Sequence, residues 1–495
     1  MATKSIIIIG AGMGGLAAGI YGQLNGYSTR IFEVHSKPGG QCAAWKRQGY
    51  LFDGCIHHLF GCDPGSRLYD LWTELGAMPR DLVPVQECVS VVSPDNRMFY
   101  DYYDLGRLEH HLRELAPKDE KIITDYIRAI RSMVNRDFFG EAMMGSGRGV
   151  VRTLPAIISS LKWSTTTMQQ YGDRFADPFL KRAFPLLEYS LPEIPFLLHL
   201  SKHAYGSVKA IQWPVGGSVA FARSIEKRYK DLGGDTLYKQ KVEKILVEND
   251  RAVGIGLADG SEHRADMIIC NADGRKTIMG LLGGRYTDER IRGYCAEPPD
   301  ETNWAVHVFL GVNRDLSREP SALVMLLEKP LVVAGHAHHS LEMQIYGFDK
   351  TMAPEGKGVI KVELVSSYSY WKKLYSDRKL YDEEKQKVAE LVVGALEARF
   401  RGIKGQIEAV DVPTLMTWER YMGGTHGFAG MPNKKASFIG SLIGIGQETR
   451  LPGLANFHLV GQWVTSAGTL FSNALYGRNL IKTLCKEEGR KFLVK

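Results

Sequence analysis

Three things are scarce in this chain of 495 residues: paired cysteines, long apolar runs and blocks of like charge. The seven cysteines (Cys42, Cys55, Cys62, Cys88, Cys270, Cys295 and Cys485) are odd in number and contain no C-x-x-C. That argues against a disulfide framework and a thiolate zinc site, and for a reducing compartment. No window holds roughly 18 or more uninterrupted apolar residues, so a membrane-spanning helix is not expected. The N-terminal apolar run, Ile6–Ile9, gives way at once to a glycine-rich turn and does not read as a signal peptide. Lys and Arg number 62 against 55 Asp and Glu, a net +7 with no basic block, so no nucleic-acid partner is expected. The same mild excess suits peripheral contact with an anionic membrane surface. What remains is ordinary globular composition, 24% charged and 44% apolar, with length for two or more domains. A cytoplasmic, multi-domain protein of enzyme size is the expectation.

The chemistry-bearing pattern starts at once. Ser5–Ile9 is a short β-branched run, suited to a buried parallel strand. Gly10-Ala11-Gly12-Met13-Gly14-Gly15 then matches G-x-G-x-x-G, and small and apolar residues recur at helical spacing to Asn25, with Gly26 as a C-cap. A second strand, Ser28–Phe32, leads to Glu33. The glycines divide the work: Gly10 allows the tight turn, Gly12 the close approach of backbone to a pyrophosphate, and Gly15 the helix–strand packing. The helix start offers N–H groups and a positive dipole end to phosphate. Glu33 can accept hydrogen bonds from ribose hydroxyls. Strand, glycines, helix, strand and acid in this order define a dinucleotide site, with Met13, Gly14 and Val34 among its contacts. No second such fingerprint is found: Gly254-Ile255-Gly256 is followed by Asp259 and a hairpin turn.

After Glu33 comes the pair Gly39-Gly40, and this neighbourhood resembles the flavin amine oxidase superfamily. The segment Asn456–Leu484 resembles that superfamily's closing FAD segment, a strand ending at Gly461-Gln462 followed by a turn and helix. A middle block from Val242 to Ala272 reads as three short strands joined by turns at Asn249-Asp250 and Asp259-Gly260. The resemblance implies FAD as cofactor, with the backbone at Val242 meeting the adenine. Within the superfamily, "GYLFDGCIHHLFG" and "IQWPVGGSVAFARSIEKRYKDLGG" are similar to the phytoene desaturase, carotenoid isomerase and retinol saturase group. Phe52-Asp53 and Ile56-His57 match, whereas Gly54 sits one place early and Cys55 takes its position. Gln41 stands where an arginine is common, which removes one phosphate contact; it stays among the candidate cofactor residues. Ser466–Gly468 replaces a longer glycine run.

The implied fold is α/β, a Rossmann-type FAD-binding domain with a discontinuous α+β substrate domain. FAD-binding parts are expected over residues 1–85, 205–290 and 440–495, and substrate-domain parts over 86–204 and 291–439. Asp53 is expected to anchor its turn through backbone N–H groups. His57 and His58 are placed beside the isoalloxazine, where an imidazole can donate a hydrogen bond or move a proton. Tyr421 and His426, in the glycine-rich stretch Glu419–Pro432, complete the catalytic candidates. Gly149–Trp163 suits a membrane surface, a core helix or a lid equally, and the three prolines in Phe184–Leu200 exclude one regular helix there. His336, His338 and His339 lack carboxylate or cysteine partners at convincing spacing, so no metal site is expected.

The resemblance implies a flavoenzyme acting on carbon–carbon bonds of a lipophilic isoprenoid or polyene, by saturation or desaturation, with an unidentified electron donor or acceptor. A redox-neutral cis–trans isomerase, an amine or amino-acid oxidase and a non-catalytic prenyl-lipid carrier are the alternatives.

Overall fold

The isoleucine run forms the middle of a five-stranded parallel sheet. Its order is Asp235–Tyr238, Ser28–Glu33, Ser5–Ile9, Met267–Cys270, Phe457–Leu459. Ile6, Ile7 and Ile8 are 0–1% exposed, as a strand covered on both faces requires. The computed structural model describes residues 3–134, 137, 140–141, 144, 162–188, 190–297, 305–423, 448–464 and 468–495. His426 and most of Gly149–Trp163 lie outside these residues, as do Ser466 and Ala467.

Helix Met13–Leu24 lies on the sheet and packs on the long closing helix Leu470–Glu487. The two helices approach closely because Gly477 faces Gly14 and Ala17; a Cβ there would stand 2.9 Å from Ala17 Cβ. The block after Val242 departs from the expected three strands. Val242–Glu248, Arg251–Leu257 and Glu262–Arg264 form a small antiparallel sheet, and the last run breaks before Met267–Cys270 joins the main sheet. The break is held by Asp266, whose carboxylate accepts from Ser5 N and Ser5 Oγ at 2.8 Å each.

A second, seven-stranded sheet runs Ile407–Asp411, Ala305–Val312, Gly358–Val365, His336–Ile345, Ala322–Val333, Glu87–Val92, Met98–Tyr102. All of its neighbours are antiparallel except Ala322–Val333 with Glu87–Val92. It has its own core, in which Trp371, Val388 and Val392 of flanking helices pack beside Val308, Val362 and Met343. Phe184–Leu200 is not one regular helix, as its prolines require: a short 3-10 turn spans Phe184–Leu186, and the regular helix Phe196–Ser207 starts only after Pro195.

Candidate functional site

The glycine loop opens on a cleft lined by Gly10, Gly12, Met13, Gly14, Glu33, Val34, Gly39, Gly40, Gln41 and Gln462. Helix Met13–Leu24 starts from Gly12 with no side chain capping it and no acid in its first turn. Its first N–H groups and dipole therefore face the cleft with no acid of the helix's own first turn to oppose an anion. A Cβ on Gly12 would stand 2.6 Å from Asn271 Nδ2, and one on Gly14 2.7 Å from Asn271 Oδ1. The cradle is sized for glycine, and it fits a pyrophosphate lying against bare backbone. The second helix start at the cleft differs, because Thr469 Oγ1 accepts from Ser472 N in a capping box.

Glu33 is buried, and its carboxylate accepts from Ala11 N at 2.7 Å and His35 N at 2.9 Å. Two backbone bonds aim it, and each oxygen retains a lone pair for a ribose hydroxyl. Gln41 Nε2 donates to Gln462 Oε1 at 3.0 Å, so the two amides expected at the cofactor meet each other across the cleft. Gly15 is not part of the lining and serves helix–strand packing against Gly10 and Ile8. Gly461 stands behind Gly14, with its Cα 3.2 Å from a Cβ built there. Val242 is also outside the lining; its backbone pairs with Leu257, and the preceding Gln240 N donates to Glu33 O at 2.9 Å. Tyr421 does line the cleft, 51% exposed, with its carbonyl 2.6 Å from His35 Nε2. Beside His35 it sits at the Glu33 end of the cleft.

Other lining residues were not among the expected contacts. Asn271 and Asp273 follow strand Met267–Cys270 at its C-terminal end, where parallel sheets collect ligands. Burial pushes the Asp273 carboxyl up to about 6, while its bond from Lys276 N at 2.7 Å works against that. Cys42 and Cys55 both line the cleft with Sγ atoms 3.4 Å apart, and both are free thiols.

Asp53 anchors its loop as expected and reaches farther. It accepts from Cys55 N at 3.0 Å and from Ser218 N and Oγ at 2.6 Å each, tying the loop to the start of helix Gly217–Asp231. Burial raises its pKa, and the Ser218 bonds restrain the rise. His57 and His58 lie beyond the lining; His57 faces the seven-stranded sheet, and His58 has Lys202 and Glu188 as its charged neighbours. His57 Nε2 stands 3.3 Å from Lys361 Nζ and 3.2 Å from Glu363 Oε1. Lys361 is fully buried and pairs with Glu363 at 2.6 Å. Burial lowers the His57 pKa, Lys361 lowers it further, and Glu363 opposes both. His58 Nδ1 is buried with no hydrogen-bond partner among the described residues, and burial holds its ring neutral. Lys361 and Glu363 were missed, although two charged residues at i, i+2 in the apolar strand "GVIKVELV" are a readable signal.

Residues 8–75 match the family model of the NAD(P)-binding Rossmann-like domain. A lycopene-forming phytoene desaturase of Pseudescherichia vulneris is 26% identical over 328 residues, 64% of this chain and 65% of that one. The chloroplastic prolycopene isomerase of Daucus carota is 26% identical over 458 residues, 85% of this chain and 71% of that one. The chain is a relative of the phytoene desaturases and prolycopene isomerases. Among solved structures, a putrescine oxidase shares the fold with a TM-score of 0.59 at 14% identity, covering 98% of this chain and 99% of that one. Its sequence is too distant to carry more than the fold. Among the described residues no helix is long and apolar enough to cross a membrane.

Proposed function

We propose that this phytoene desaturase relative is an FAD-dependent oxidoreductase that saturates or desaturates a carbon–carbon bond of a lipophilic isoprenoid or polyene. The observation that carries the reading is the uncapped glycine cradle with its aimed Glu33, in a chain similar to both desaturases and isomerases of polyenes. FAD, when bound, supplies the hydride chemistry; the protein supplies position, dryness and charge. The N–H groups at the start of helix Met13–Leu24 would hold the pyrophosphate, Glu33 the adenosine ribose, and the Gln41–Gln462 pair the middle of the cofactor. Gly39 and Gly40 let the chain pass close to it.

His57, with Glu363 and Lys361 at its Nε2, is our candidate for the group that holds or moves a proton. His58, and His426 from the glycine-rich stretch, remain the accompanying candidates. Peripheral contact with an anionic membrane would bring such a substrate within reach, and the net +7 suits it.

The isomerase is a second reading with an observation of its own: the prolycopene isomerase alignment spans 85% of the chain against 64% for the desaturase. Mass spectrometry of the product from an acyclic polyene and holoprotein separates the two. A change of two hydrogens, given an electron acceptor or donor, supports the oxidoreductase; equal mass with altered double-bond geometry supports the isomerase. An amine consumed in place of any polyene would refute both.

A further inference from the structure

We propose that Cys88, Asp101, His199 and His203 form a binding site for a borderline divalent metal ion, zinc above all, apart from the nucleotide cleft. One donor atom from each residue lies within 4.8 Å of every other: a thiol sulfur, a carboxylate oxygen and two ring nitrogens. All four side chains are buried, at 1% exposure or less, and none lines the cleft. Cys88 and Asp101 come from the antiparallel hairpin Glu87–Val92 and Met98–Tyr102. His199 and His203 stand at i, i+4 on one face of helix Phe196–Ser207. The ligands therefore join a sheet edge to a helix, and no C-x-x-C is needed. That is why cysteine spacing alone gave no expectation of a metal.

The donor set decides the class of ion. One sulfur, two imidazoles and one carboxylate match the four-coordinate sites of zinc, whereas calcium and magnesium require oxygen. The surroundings match as well. His199 Nδ1 lies 2.8 Å from Glu188 Oε1, which fixes the proton on Nδ1 and leaves the Nε2 lone pair for the cluster. Lys202 Nζ holds the other Glu188 oxygen at 3.3 Å. Tyr126 Oη stands 2.6 Å from His199 Nε2 and 3.3 Å from Asp101 Oδ1, so its hydroxyl keeps an acceptor when a metal takes the nitrogen. His203 Nε2 lies 2.8 Å from Asp101 Oδ2, yet its Nδ1 has no partner among the described residues.

Charge balances too. Glu188 and Lys202 neutralise each other, and a dication is offset by the Asp101 carboxylate and the Cys88 thiolate formed as the thiol proton leaves to solvent. The Asp101 carboxyl is sealed among hydroxyl, thiol and imidazole groups, with Tyr126 Oη and His203 Nε2 as its hydrogen-bond partners. With the metal, the site pins the edge of the seven-stranded sheet to the helix that leads into strand Ile211–Pro214.

The test is metal content of the holoprotein, purified without a metal-affinity step and dialysed against a weak chelator. About one zinc per chain is expected by plasma mass spectrometry. Replacement by cobalt should give tetrahedral d–d bands to the red of the flavin, with a thiolate charge-transfer band that Cys88→Ser abolishes while flavin content stays unchanged. Glu188→Gln, which touches the ligands His199 and Cys88 and not the ion, should weaken zinc retention about 10- to 100-fold. Wild-type protein that holds no zinc, shows no cobalt bands on addition of cobalt and melts at the same temperature with and without zinc overturns the proposal. So does equal zinc in wild type and in a folded His203→Gln variant.

Discussion

Glu342 offers a pH signature that follows from the layer beneath His57. It lies on strand His336–Ile345, in register with Glu363 on the next strand, so two half-buried carboxyls share one face. Burial, and then the Glu363 charge, push Glu342 up from 4.5 to about 7, while Lys361 holds Glu363 ionised. The sign follows from proton binding. Between 4.5 and 7 the folded state keeps the proton and the unfolded chain loses it, so this group's contribution to stability falls as pH rises through that window and is constant above it. A shift of this size corresponds to about 3 kcal/mol in full. Glu342→Gln removes the titration, so the variant should gain on wild type by about that amount between pH ~4.5 and ~8. Urea unfolding of both proteins, followed by tryptophan fluorescence across that range, measures the gain. Curves that stay parallel at all pH values would mean that Glu342 is already ionised beside Lys361, and the reasoning would fail.

Three further outcomes are expected. Gly14→Ala sits at a helical position with ordinary φ, so the fold should survive, but its Cβ meets Asn271 and Gly461 in the cradle. The ratio of flavin to protein absorbance should drop at least tenfold; an unchanged ratio would rule out this cradle. Asp53→Ala strips three donors, two of them buried, of their acceptor and should cost about 3 kcal/mol, read as a lower melting temperature, with Asp53→Asn milder. Lys361→Met leaves Glu363 without its cation and should cost about 3–5 kcal/mol, most of it restored by adding Glu363→Gln; a single variant as stable as wild type contradicts the pairing.

Much of the nucleotide half was legible because its signals are local. The run Ser5–Ile9, the glycines, the helix and Glu33 each declare themselves within a few residues, and the observed bounds differ from the expected ones by about a residue. The break at Asp266 was not legible, because it depends on Ser5 at the other end of the chain. The same holds for His57: its place in the loop could be read, but its partners Lys361 and Glu363 come from a strand some 300 residues later. The glycine-rich setting of Tyr421 points to chemistry, and only the fold shows that His35, hydrogen-bonded to Glu33, is its neighbour. The Cys88–Asp101–His199–His203 cluster hides for a like reason. His199 and His203 show helical spacing, but the other two ligands arrive from a hairpin about a hundred residues earlier.

The most direct test of the central claim is an anaerobic absorbance experiment on the purified protein with an acyclic polyene. A bound flavin that bleaches as the polyene is desaturated, or that reoxidises after reduction as the polyene is saturated, is the predicted result. Protein that carries no flavin and takes up none when FAD is added would contradict it.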